Sequence, residues 1–230
     1  GLSLGQLKVD GKTNEITVIP ELIKQLAIDG AIVTIDAMGC QKDIAKAIID
    51  QKADYILAVK DNQKELHESI IDVFKLTENK AFTNNMPMQK SEDDIEASHG
   101  KIEQRTTTTM PVNAISHVID SKDWAGIKSI VKITRIAEDN TSNITKETRY
   151  FISSVAYTEP ERIGQAARLH WGIENKLHWT LDVIFKEDDC RIRDEIAALN
   201  FAWFRKMALS FLKPVLPFGV KVNSIKKKML

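Results

Sequence analysis

The 230-residue sequence predicts an α/β fold with a β-rich stretch set into it and a helical carboxyl-terminal part. Three observations carry this. Ala31–Ile35 and Tyr55–Val59 are short apolar, β-branched runs, each followed by an amphipathic helical pattern, as in parallel strands joined by helices. Lys101–Met110, with four consecutive threonines, Ser129–Ile136 and Thr148–Val155 favour extended chain. Beyond Thr158-Glu159-Pro160-Glu161, a capping box with proline in the first turn, the pattern becomes mainly helical. The predicted parts are residues 1–74, 75–155 and 156–230.

In order, Leu4–Val9 reads as a strand, and Pro20 opens a helix through Leu26 with Leu22, Ile23 and Leu26 on one face. Ala31–Ile35 reads as a buried parallel strand ending in Asp36. The helix Gln41–Gln51 places Ile44, Ala47 and Ile48 for burial, and Tyr55–Val59 is a second strand, ending in Lys60-Asp61-Asn62-Gln63. The Lys64–Phe74 helix follows. Leu76–Gly100 is polar, acidic and weakly periodic, the character of a surface excursion, and the later β-rich pieces suggest an antiparallel sheet inserted into the core. Helices are expected over Arg162–Trp179, with a kink at Gly172, and over Asp194–Leu212.

Composition narrows the function classes. With 43% hydrophobic and 28% charged residues the chain can bury a core, so disorder and collagen-like repeats are excluded. No apolar run reaches the roughly 18 residues that a membrane-spanning helix needs. Cys40 and Cys190 are the only cysteines, so neither a disulfide framework nor a thiolate zinc site is expected, and a reducing cytoplasm fits. Net charge is zero, yet Phe201–Leu230 has seven basic residues and no acid, a distribution suited to phosphate or to a solvated tail. Gly-rich phosphate loops, Gly-x-Ser-x-Gly and Cys-x-x-Cys are missing, which removes the NTPase, serine-hydrolase and zinc-ribbon readings.

Three clusters could carry chemistry. Asp36 follows a strand directly and so sits at the carboxyl edge of the sheet, where open α/β folds place their sites. The alternative is a local role, its carboxylate accepting backbone N–H groups of the Ala37-Met38-Gly39 turn. His170, Glu174, His178 and Asp182 recur every four residues, but such a stripe drifts about 40° per repeat on a helix of 3.6 residues per turn, so all four cannot converge on one ion. Arg191 and Arg193 could grip phosphate bidentately or pair with Glu187 and Asp189.

Taken together, Gly5–Val9 with Asn14-Glu15-Ile16, Thr34–Gln41, Ala53–Lys60 with Asn62-Gln63, Arg168–Asp182, and Arg191-Ile192-Arg193 leading to Asn200-Phe201-Ala202 resemble the DDE transposases of bacterial insertion sequences, specifically the H-repeat-associated group of the IS-four-like class. The resemblance implies a ribonuclease-H-like core in which three carboxylates hold two divalent ions, Mg2+ or Mn2+, that activate water and stabilise the leaving 3′ oxygen. Asp36 matches the second acid and Glu174 the third, so the two are expected to converge as metal ligands and catalytic residues. The β-rich stretch looks like the insertion this class places before the glutamate helix. The implied substrate is double-stranded DNA, at transposon ends and target, cut and joined by in-line attack. Lys60, Asn62, Arg168, Arg191 and Arg193 are the candidate DNA contacts. A homodimer and a bacterial cytoplasmic, nucleoid-associated location fit the same resemblance.

Two departures qualify the match. The class pattern has Tyr, Arg and Lys around the glutamate, where this chain has Ala167, His170 and Leu181. The first acid belongs to an Asp-Gly-Lys stretch that matches no part of the chain; Asp10-Gly11-Lys12 imitates it, but its flanks match the segment beyond that acid. The sequence therefore reads as truncated at its amino terminus and, as a fragment, inactive in transposition. A non-catalytic DNA-binding remnant and a general metal-dependent nuclease are the rival readings.

Overall fold

The computed structural model describes residues 4, 5, 7, 15–78, 86–98, 101–119, 123–173 and 180–215. They form a mixed α/β structure with helices α1 (Glu15–Gln25), α2 (Lys42–Asp50), α3 (Lys64–Glu78), α4 (Pro160–Ile173) and α5 (Glu195–Val215). The strands are β1 (Ile32–Ile35), β2 (Asp54–Val59), β3 (Gln89–Glu92), β4 (Glu96–Ser98), β5 (Lys101–Pro111), β6 (Ser129–Asp139) and β7 (Ile144–Ser153). Two compact units result, one of residues 13–168 and one of 1–12 with 169–230.

In the larger unit all seven strands join one sheet in the order β1-β2-β7-β6-β5-β3, with β4 also on β5. β1 and β2 are parallel, Ile32 opposite Asp54 and Ile35 opposite Leu57. β2 is antiparallel to β7, Leu57 opposite Ile152. The β-rich stretch therefore extends the sheet of the parallel pair. β2 lies between β1 and β7 and is mostly buried, as its apolar run predicts, whereas β1 ends the described sheet and is only half-buried. The expectation of a buried β1 is corrected on that ground: a strand with one neighbour keeps part of its side-chain surface in contact with solvent.

Pairing puts Leu57, Ile152, Ile130 and Met110 in one row across the sheet. This row joins Ile44 and Ile48 of α2 and Ile70, Val73 and Phe74 of α3 in the main core. α4 covers the opposite face; a Cβ on its Gly164 would stand 2.5 Å from Thr107 Oγ1 of β5, so only glycine permits this approach without a shift. Within the main core, Tyr55 is fully buried and its hydroxyl has no hydrogen-bond partner among the described residues. Burial, and secondarily Cys40, raise the pKa of Tyr55; burial pushes the Cys40 thiol up to about 12, which leaves it unreactive. Tyr55→Phe removes an unpaired polar group, so thermal denaturation should show stability unchanged or raised by up to about 1 kcal/mol.

Several boundaries differ from expectation. α1 starts at Glu15, with Pro20 inside it instead of at its start. Pro20 has no N–H and so donates no backbone bond within the helix. α4 begins with Glu159 outside the helix and Pro160 at its first position, suited to a residue without an N–H. Leu76–Gly100 contains the end of α3 and the short strands β3 and β4, which pair with β5. Their pairing comes from the edge of β5 and not from apolar alternation of their own. The β6–β7 turn is built on Asp139, whose carboxylate accepts from the Thr141 hydroxyl and from the Thr141 and Asn143 amides, and these bonds lower its pKa.

In the smaller unit, Thr180–Ile184 forms a π-helical turn, and the Asp194 carboxylate accepts from the Ala197 amide at 2.8 Å to cap α5. Of the predicted Leu4–Val9 strand only residues 4, 5 and 7 are described, and they are not in a strand.

Candidate functional site

Asp36 leaves β1 at its carboxyl end in extended backbone, with φ −65° and ψ 178°. Its carboxylate is exposed and makes no capping hydrogen bond to the Ala37–Gly39 turn that follows. The local-structure reading of this residue is thereby removed, since the turn closes through backbone bonds alone. Gly39 N donates to Asp36 O and Cys40 N to Ala37 O, each at 3.1 Å. Gly39 is required for close packing: a Cβ there would lie 2.2 Å from Ile35 Cγ2. The turn is pressed against the last residue of β1, and Asp36 stands at the bend between them.

Because β1 and β2 are parallel, the turns after them lie side by side at one edge of the sheet. Asn62 Nδ2 donates to Ala37 O, and Gln63 Nε2 donates to Cys40 O at 3.0 Å. Consecutive amides of the second turn thus fasten the turn that follows Asp36. A cavity of about 310 Å³, lined in part by Lys42, Asn62, Gln63, Leu66, Ile119 and Trp124, opens beside them. Lys60 is exposed just before the Asp61–Gln63 turn.

The other predicted site residues are distributed as follows. Glu174, with His178, lies outside the described residues, as does most of the basic tail, including Lys221, Lys226, Lys227 and Lys228. Arg168, near the end of α4, is ion-paired with Glu96 and lies 3.8 Å from Asp93. Arg191 and Arg193 are exposed in the chain leading to α5, where the ion pair in the preceding acidic stretch is Lys186–Asp189 at 3.8 Å. Arg205 stacks on Phe201 at 4.5 Å and helps to lower the Cys190 pKa, after the Ile192 amide.

Sequence reading missed the polar lattice on the α4 side of the sheet. Glu103 bonds Arg105 at 2.7 Å and also Arg135, and Arg135 faces Glu147 at 3.8 Å. The Glu96 carboxyl is held below its usual range chiefly by the Arg168 hydrogen bond, and Glu103 chiefly by Arg135. The pairings of β4 with β5, β5 with β6 and β6 with β7 bring these residues together, and glutamates and arginines so far apart in sequence carry no periodic signal of it. For a divalent ion, the exposed Asp36 carboxylate, which caps no turn, offers hard oxygen donors of the kind that suit Mg2+ or Mn2+. Among the described residues no group of three or more His, Cys, Asp or Glu gathers as a complete site.

Against known proteins, a family model of the transposase DDE domain matches residues 1–211. The H repeat-associated putative transposase YhhI of Escherichia coli (strain K12) is 42% identical over 215 residues, 92% of this chain and 55% of that protein. Putative protein YbfL of the same strain shows the same identity and coverage. Putative transposase YncI of Escherichia coli O157:H7 is 40% identical over 232 residues, 100% of this chain and 57% of its own. The chain spans about half the length of the curated relatives it matches.

Proposed function

Because the chain belongs to the DDE transposases, we propose that it forms the catalytic part of a metal-dependent enzyme that cuts DNA at insertion-sequence ends and joins the strands to a target. The observation that carries this is Asp36: a carboxylate at the carboxyl end of a parallel strand, exposed and unused by its own turn. That is what a metal ligand requires and a capping residue does not.

In this reading β1 and β2 belong to a ribonuclease-H-like core within residues 1–74, residues 75–155 are the insertion, and residues 156–230 bring Glu174 as the second carboxylate. Asp36 and Glu174 would hold Mg2+ or Mn2+. The ions, when bound, supply charge stabilisation for in-line displacement at a phosphodiester. The chain's own part is to present carboxylate oxygens, that of Asp36 from a sheet edge, and to position double-stranded DNA. Lys60, Arg191 and Arg193 are exposed cations suited to phosphate, whereas Asn62 and Arg168 are already engaged within the fold. Among the described residues no helix is long and apolar enough to cross a membrane.

The test is a strand-cleavage and strand-transfer assay on DNA carrying the element's ends, using a chimaera in which this segment replaces the corresponding part of a full-length relative. Cleavage and joining are expected with Mg2+ or Mn2+ and should stop with EDTA. Cleavage without regard to the ends would favour a general nuclease. Binding without metal-dependent cleavage would favour a non-catalytic remnant.

A further inference from the structure

We infer that Asn62 and Gln63 are positioning residues for Asp36, acting through the turn that follows it; this rests on the reading of Asp36 as a divalent-metal ligand. Asn62 Nδ2 reaches Ala37 O, the carbonyl next after Asp36, and Gln63 Nε2 reaches Cys40 O at the far end of the same turn at 3.0 Å. The two amides bracket the turn at both ends. Ala37 O also accepts from Cys40 N at 3.1 Å, so Asn62 adds a second donor to a carbonyl that already closes the turn.

The direction of support runs from β2 to β1. β2 is the mostly buried strand, with Leu57 and Val59 in the main core, while β1 has β2 as its one strand neighbour in the described sheet. A ligand at the end of β1 needs restraint from the better-anchored neighbour. The side chains at positions 62 and 63 supply it across the gap between the parallel strands. Gly39, packed against Ile35, fixes the other side of the turn.

The outer surfaces of Asn62 and Gln63 border the cavity of about 310 Å³, and neither residue is fully buried. Truncating them therefore removes little packing, and a loss of Asp36 placement can be separated from a loss of the fold.

The experiment uses the 230-residue chain and Mn2+ alone, with bound ion read by electron paramagnetic resonance. Asp36→Asn reports dependence on the ligand, and the double variant Asn62→Ala/Gln63→Ala reports the positioning. Removing supports of a metal ligand typically weakens affinity by roughly tenfold to a hundredfold, so that loss is expected in the double variant with an unchanged melting temperature. Faster hydrogen exchange at the Gly39 and Cys40 amides should accompany it. If the double variant melts early, the exposed Asn62→Leu, close to asparagine in size but without the amide donor and without added charge, should give the same loss of Mn2+ in a normally stable chain. Asp36-dependent Mn2+ binding that the variants retain overturns the positioning role alone. A wild-type chain that binds no Mn2+ through Asp36 overturns the metal reading and the positioning role with it, even if the amide exchange changes.

Discussion

Asp36→Asn should lower divalent-ion-dependent DNA cleavage by about three orders of magnitude in the chimaeric strand-transfer assay, while leaving the melting temperature within a degree or two of the parent. The rate effect follows from removing a charged oxygen ligand. Metal stabilisation of the charge that develops at the phosphate is worth several kcal/mol, and about 1.4 kcal/mol corresponds to tenfold in rate. An asparagine keeps the shape and one carbonyl oxygen but not the negative charge. The small stability effect follows from geometry: the carboxylate is exposed and makes no capping bond, so nothing in the Ala37–Gly39 turn depends on it. A capping aspartate would behave in the opposite way, with roughly 1 kcal/mol of stability lost and no special effect on chemistry. Thermal denaturation beside the cleavage assay distinguishes the two, and a destabilised variant with normal cleavage would overturn the assignment.

The second large effect is on stability. Glu103→Gln should cost about 3 kcal/mol at neutral pH, because it removes the shared counter-charge of two arginines that face one another across β5 and β6. Arg105 and Arg135 are directly opposite in the register. Glu103 bonds both, and its side chain is 17% exposed against 14% for Arg105. Without it, the next carboxylates are Glu96, 3.9 Å from Arg105, and Glu147, 3.8 Å from Arg135. Like charges directly opposite in a sheet are destabilising, and their low exposure limits screening by water and salt.

The pH dependence has a definite sign. The Glu103 carboxyl is held below its ordinary value in the folded chain, chiefly by Arg135. Its contribution is therefore fully present above the unfolded carboxylate pKa of about 4.3 and is lost as pH falls through the folded value. Chemical denaturation of the parent and of Glu103→Gln should show a wide gap at pH 7 that narrows below about pH 4.3. A gap of constant width down to pH 3 would show that the charge of Glu103 is not its source.

How much of this is legible in the sequence depends on where each signal resides. β1, α2 and β2 carry their own apolar patterns, so Ala31–Ile35, Ile44 with Ile48, and Tyr55–Val59 are readable as elements without a partner, although the half-burial of β1 is not. Asp36 is readable for the same reason, as the first charged residue after an apolar run. β3 and β4 are not, because Gln89–Glu92 is polar and becomes a strand only beside Thr106–Thr109 of β5. The engagement of Arg168 with Glu96 spans 72 positions, and that of Asn62 with Ala37 spans 25. Distances of that kind have no periodicity, so both residues read from sequence as free donors for DNA. Glu174 is recognisable through its motif, His170-Trp171-Gly172-Ile173-Glu174-Asn175, and through no property of the α4 pattern itself.

The β2–β7 pairing has a consequence for how the chain folds. β1, α2 and β2 are close in sequence, and β5, β6 and β7 form a meander of neighbouring strands, so each group can assemble from local contacts. Joining them requires Tyr55 to meet Ser153 and Ser154 across 98 and 99 positions, through bonds of 2.7 and 2.8 Å. Closing a loop of that size costs entropy before the new pairing returns any, and chains dominated by such contacts fold slowly. The seam between β2 and β7 is therefore expected to form last on refolding, after both halves of the sheet have already acquired their own structure.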